Sequence, residues 1–122
     1  DVLYAGDLIE ESGPPAYGDD SYPLEWPATL EIVSGLLTSR TAVVPGHGTV
    51  VDQGYVLSQR GDLSEVAATL QRLWSDGVRE EAVLDSGTWP FPVESLRVAV
   101  SRAYAQLRSD APGGGQPLPL VP

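Results

Sequence analysis

Cysteine, methionine and lysine are absent from this chain of 122 residues, and histidine occurs once. Without cysteine there is no disulfide, no thiolate metal site and no cysteine nucleophile. A cysteine-free chain folds in either redox environment, so this absence says nothing about compartment. Without methionine the residues do not include a translational start, and a processed chain or a piece of a longer one is expected. Without lysine, positive charge rests on seven arginines against 17 acidic residues, a net charge of −10. Such a chain does not easily build the basic face that nucleic acid requires, and an anionic membrane surface is disfavoured for the same reason. No apolar run approaches the roughly 18 residues of a membrane span. No charged-then-apolar N-terminal signal is visible either, so the expected location is cytoplasmic.

What is present is ordinary for a globular domain: 42% hydrophobic and 20% charged residues. Val2-Leu3-Tyr4-Ala5, closed by Gly6-Asp7, predicts a short buried strand. The Gly/Pro-rich, acidic stretch over 8–22 predicts a long loop. Trp26, Leu30, Val33 and Leu37 share one helical face within 24–37, with Pro23 and Pro27 at or before its first turn. Thr41-Ala42-Val43-Val44, closed by Pro45-Gly46-His47-Gly48, predicts a second buried strand. Leu63, Val66, Leu70 and Leu73 mark a helix over 55–76 that stops at Gly77, with a break possible at Gly61. A short helix is expected over 79–86. A final helix carries Val93, Leu96, Val100, Ala103 and Leu107 on one face. The Pro/Gly-rich tail over 110–122 is expected to be flexible. The order is α/β in type, but two strands make a thin sheet.

Asp7 and His47 occupy equivalent positions, each after a short strand and beside glycine. If the strands are parallel, both side chains emerge at one sheet edge, where ligands bind in α/β proteins. A carboxylate and an imidazole there can be two metal ligands or an acid–base pair. Each also has a plainer reading, a turn or helix cap for Asp7 and a structural histidine for His47. Glu10, Glu11, Asp19 and Asp20 read as a solvated acidic loop before they read as an extra cation site, because nothing fixes their spacing. Tyr17, Tyr22 and Trp26 can line a substrate groove or pack an irregular excursion. Trp74, Trp89 and Phe91 read as core. Ser21, Ser34 and Ser58 lack a Ser-His-Asp context.

The Val2-to-Asp7 segment followed by Val43-Val44-Pro45-Gly46-His47-Gly48 resembles the second half of the metallo-β-lactamase fold, in particular its glyoxalase II-like branch. The stretch from Asp20 to Leu30, the segment from Val50 to Gly77 and the closing helix extend the resemblance over about residues 1–109. The resemblance implies half of an αβ/βα four-layer sandwich with two divalent metal ions, usually zinc, at the sheet edge. Asp7 matches the aspartate that bridges both metals, and His47 matches the last histidine ligand. The implied activity is hydrolysis of an ester, thioester, amide or phosphodiester by metal-bound hydroxide. The family's His-x-His-x-Asp-His segment and its middle histidine are absent, because the chain has one histidine. The implied partners are therefore a complementary N-terminal half and a small-molecule substrate, with homo-oligomerisation through open strands as a further expectation and the chain alone inactive. Where the best-known zinc β-lactamases carry cysteine this chain has Asp7, which turns the expectation away from β-lactams. The rival reading is a non-catalytic, partner-binding module in which Asp7 and His47 are structural.

Overall fold

A computed structural model describes residues 1–111. Strand β1 (Val2–Glu10) pairs in parallel with β2 (Ala42–His47), and helix α1 (Trp26–Ser34) lies in the connection between them. Helix α2 (Gln53–Ser75) follows, then a 3-10 turn (Glu80–Ala82) running into α3 (Val83–Ser86). A second 3-10 turn (Val93–Leu96) opens α4 (Arg97–Asp110). The architecture is mixed α/β, with a two-stranded parallel sheet among the described residues. None of these helices is long and apolar enough to cross a membrane. Of the tail expected over 110–122, Asp110 ends α4, and residues 112–122 lie outside the described residues.

Helix α2 organises the core. Asp52 caps its start, its side chain accepting from the Tyr55 N–H at 3.0 Å. Its stop is a Schellman arrangement: Val78 N–H bonds Leu73 O at 2.9 Å and Gly77 N–H bonds Trp74 O at 3.0 Å. Gly77 permits this with φ +77. Between these ends Val56, Leu63, Val66, Leu70 and Leu73 form a buried stripe. Gly61 does not break the helix: a glycine costs about 1 kcal/mol there, less than the buried contacts on either side of it contribute. Val100, Ala103 and Tyr104 of α4 join the same core, and Trp74 meets Tyr104 edge-on at 5.1 Å. Trp89 and Phe91 pack against it, as their core reading requires, and the Trp89 indole donates to Leu84 O at 3.1 Å.

Helix α1 is shorter than its apolar spacing suggests, because the chain tightens after Ser34. Leu36 N–H and Leu37 N–H reach back three residues, to Val33 O and Ser34 O, and Leu37 is buried beyond the helix end. Pro27 falls in the first turn, where its missing N–H breaks no bond.

The sheet departs most from expectation. Strand β1 does not stop at Ala5 but continues to Glu10, so Asp7 lies inside it rather than after it. The register explains how. Leu3 pairs with Val43 and Tyr4 with Val44, but Gly6 then pairs with Pro45 and Glu10 with His47. From Tyr4 to Glu10 β1 advances six residues while β2 advances three from Val44 to His47, so β1 bulges twice. Gly6, at φ +57, takes the left-handed backbone that this requires. Pro45 sits where the ladder is already irregular, so its lack of an N–H is tolerated.

Before the bulges the side chains alternate. Leu3 and Ala5 turn toward the core with Val43, while Val2 and Tyr4 are 58% and 79% exposed. The outer edge of β2 is covered by Val51, which exchanges two 2.9 Å backbone bonds with Val43. The outer edge of β1 has no strand beside it among the described residues.

Candidate metal centre

The double bulge brings three side chains together. Asp7, Glu10 and His47 each offer a ligand atom, and the three atoms lie within 4.8 Å of one another. His47 Nδ1 stands 2.8 Å from Glu10 Oε1 and 3.8 Å from Asp7 Oδ1. In a regular strand, positions 7 and 10 would face opposite sides of the sheet. The extra residues in β1 cancel that alternation and turn both carboxylates toward the end of β2.

The three differ in freedom. The Asp7 and His47 side chains are 75% and 69% exposed, whereas that of Glu10 is 6% exposed. Helix α2 fixes Glu10 through its backbone. The Gln59 side chain accepts from Glu10 N–H at 3.1 Å and donates to Glu10 O at 2.7 Å, and Tyr55 OH donates to the same carbonyl at 2.6 Å. These bonds replace the ladder partners that the bulged strand has lost. The segment after β1 is tied down as well: Glu11 N–H donates to His47 O at 3.1 Å, and the Glu11 carboxylate accepts from Thr49 N–H at 2.9 Å.

Glycine is required at two places around this cluster. A Cβ on Gly46 would collide with the Asp7 carboxylate and reach the Gly6 carbonyl carbon at 3.0 Å. Gly48 has φ +106, and a Cβ there would strike Glu11 and the Ser12 amide. The Pro-Gly-His-Gly segment is thus shaped by the approach of β1 to it.

In the metal-free protein the Glu10 carboxylate accepts from His47 Nδ1 at 2.8 Å, and an ion held by both groups would take the place of that proton. The Glu10 hydrogen bond and charge, with a further contribution from Asp7, hold His47 above the ordinary imidazole range. Burial of Tyr55, and the Glu11, Glu10 and Asp62 carboxylates near it, push its phenol up, so it stays a donor to Glu10 O at neutral pH.

Of the residues anticipated from sequence, Asp7 and His47 are adjacent. Tyr17, Tyr22 and Trp26 line one concavity of about 650 Å³, and Asp7 lines it too. The expected solvated acidic loop of Glu10, Glu11, Asp19 and Asp20 does not form as one unit. Glu10 is a buried strand residue, Glu11 is tied to Thr49, and Asp19 and Asp20 are exposed. Two signals point to Glu10. Leu8-Ile9 continues the apolar strand past Asp7, and Gln59 stands on the buried stripe of α2, where a polar residue needs a partner. Ser21, Ser34 and Ser58 make no hydrogen bond to His47.

No family model, no curated protein and no solved structure matches this chain. Function must therefore be read from the site itself.

Three donors, one nitrogen and two oxygens, are the minimum protein set for a catalytic zinc ion, which keeps a further position open. The same set suits iron or manganese. Neighbouring ligand atoms of a tetrahedral shell with bonds of about 2.1 Å stand about 3.4 Å apart. Asp7 and His47 are exposed enough to adjust toward this spacing, whereas Glu10 is held by α2. The donor set fits one ion. Donors for a second are not among the described residues.

Proposed function

We propose that Asp7, Glu10 and His47 hold a divalent metal ion, zinc in the first place, as part of the metal centre of a hydrolase of metallo-β-lactamase type. The observation that carries this reading is the convergence of the three donors at one sheet end, achieved by a double bulge in β1. Bulges re-aim side chains and are over-represented next to sites as well as at sheet edges. The ion supplies Lewis acidity toward a carbonyl or phosphoryl group. The chain's own part is to set the donors. Glu10 is immobilised from α2 and orients the His47 ring, and Asp7 faces both His47 and the aromatic concavity. A second ion, and the histidines that would hold it, belong to a complementary half. The open face of the sheet, with Val2 and Tyr4 exposed, is the surface such a half would cover in a four-layer sandwich.

The test is zinc titration calorimetry on the 122-residue chain, followed by esterase, thioesterase and phosphodiesterase assays on the full product of its gene. One weakly bound ion per chain is expected, lost in Asp7→Ala and His47→Ala, with negligible hydrolysis by the chain alone. The same substitutions should abolish most hydrolysis by the full product. Zinc binding that is unchanged in both variants overturns the proposal.

One observation favours a second reading. The buried Glu10 carboxylate and His47 form a 2.8 Å strut between the ends of the two strands. In a non-catalytic, partner-binding module this strut would be structural. It predicts that His47→Gln lowers the melting temperature in metal-free buffer and that zinc changes neither protein.

A further inference from the structure

The concavity beside Asp7 has a distinct chemical character. Tyr17 and Trp26 meet edge-on at 5.1 Å in its wall, and Tyr22 completes an aromatic surface. Every charged side chain that lines it is acidic: Asp7, Asp20 and Glu25. Arg102, the cation nearest the wall, is not part of the lining. Its guanidinium lies 5.3 Å from the centre of the Tyr22 ring, and its Nε donates to Ser21 O at 2.8 Å. These two contacts hold it against the wall and leave its charge unneutralised.

Two lining hydroxyls have no partner. Tyr17 is 7% exposed, its hydroxyl oxygen makes no hydrogen bond, and burial pushes its pKa upward, so it stays protonated. Ser21 Oγ is also unpartnered. About 650 Å³ falls in the ordinary range for a small-molecule site.

We infer that this groove binds a protonated primary amine carried on an apolar or aromatic body. The aromatic rings take the body and attract the cation through their faces. The ammonium N–H groups have acceptors in the Asp20 and Glu25 carboxylates, while an anion meets three carboxylates and no cation in the lining. The inference deepens the reading above and rests on it for the amine's role as substrate. It selects amino-bearing esters or amides over phosphodiesters. With a metal ion on Asp7, the Asp20 and Glu25 carboxylates still set the sign of the groove.

The experiment is an NMR titration of the full chain in metal-free buffer with EDTA, following the indole N–H of Trp26. The probes share one body: 2-phenylethylammonium, 2-phenylethanol and phenylacetate. The ammonium should give a saturable shift at Trp26, with a dissociation constant about tenfold below that of the alcohol. Phenylacetate should give none. Asp20→Asn with Glu25→Gln should remove the advantage of the ammonium and leave the alcohol unchanged. Both residues are exposed, and the Glu25 side chain makes no capping bond to α1, so the fold does not depend on them. Each single variant serves as well, with a smaller loss. The inference is overturned by equal binding of the three probes, by preference for phenylacetate, by no binding at Trp26, or by an ammonium affinity unchanged in the variants. Because metal is excluded, failure here leaves the zinc titration untouched, and failure of zinc binding leaves this result standing.

Discussion

Along α2 the apolar residues Val56, Leu63, Val66, Leu70 and Leu73 are all buried, whereas in β1 Val2 and Tyr4 are 58% and 79% exposed. Helix α2 buries this stripe, with Leu57 partly exposed beside it, although Ile32 of α1 stands open to solvent. The sheet satisfies one face and leaves the other open, and the candidate donors stand where its ladder is least regular. Stability and site are thus separated in this chain: α2 supplies the core through one face and reaches the site through only Tyr55 and Gln59. Substitutions in the two regions should therefore have different consequences.

The largest effect belongs to the core. Leu70→Ala empties a fully buried position in α2 and should cost about 3 kcal/mol in urea denaturation. Zinc affinity of the folded protein should be unchanged, because Leu70 lies 11 residues beyond Gln59 along α2 and is not among the donors' hydrogen-bond partners. A matching loss of zinc binding in the folded protein would mean that the two regions are not separable.

Gly46→Ala acts at the sheet end instead. Its Cβ meets backbone at Gly6 as well as the Asp7 carboxylate, so β1 must shift, at a cost of about 2 kcal/mol. Here zinc affinity should fall together with stability. Calorimetry on the variant, compared with Leu70→Ala, gives the sharpest contrast between the regions.

Proton competition comes next. His47 is raised above the usual imidazole range, chiefly by Glu10, and a metal must displace its proton from the ring. Zinc affinity should fall about tenfold per pH unit below that raised value, and the fall should begin at a higher pH than for free imidazole. For folding the sign is opposite. A raised folded-state pKa contributes stability that is fully present below the unfolded value near 6.5 and is lost as pH rises through the folded value. The exposed ring makes this contribution small. A pH series of melting temperatures should show it in the wild type and lose it in His47→Gln.

The smallest effect tests the open face. Tyr4→Ser should change stability by no more than about 0.5 kcal/mol, because the side chain is mostly exposed. It should reduce self-association measured by sedimentation, since an open apolar strand invites pairing with another chain. A loss of several kcal/mol would show that this face is covered in solution.

Much of the helical part is legible in the sequence. The 3–4 spacing in α2, its glycine stop and the apolar face of α4 are local properties, and local hydrophobic periodicity reports them directly. The parallel pairing of the two strands, only a condition in the sequence reading, is what the structure has. The end of β1 is not legible, because Gly6-Asp7 reads as a terminus to any local rule, and the strand passes through it only by adopting a bulge.

The site divides in the same way. Asp7 and His47 can be singled out because each follows an apolar run and lies beside glycine, a one-dimensional pattern. Glu10 is signalled only indirectly, by Leu8-Ile9 and by Gln59 on the buried stripe of α2, because its burial depends on Gln59 and Tyr55, 49 and 45 residues further along the chain. The sequence by itself determined the charge, the single histidine, the helical stripes and the two strands. Only the tertiary structure decided that β1 slips three residues against β2, that a glutamate is buried beside the histidine, and that three aromatic side chains share a groove with Asp7. The physical reason is range. Periodicity and turn chemistry act between neighbours in the chain, whereas register, burial of a charge and the shape of a cavity are set by contacts between segments that the sequence keeps far apart.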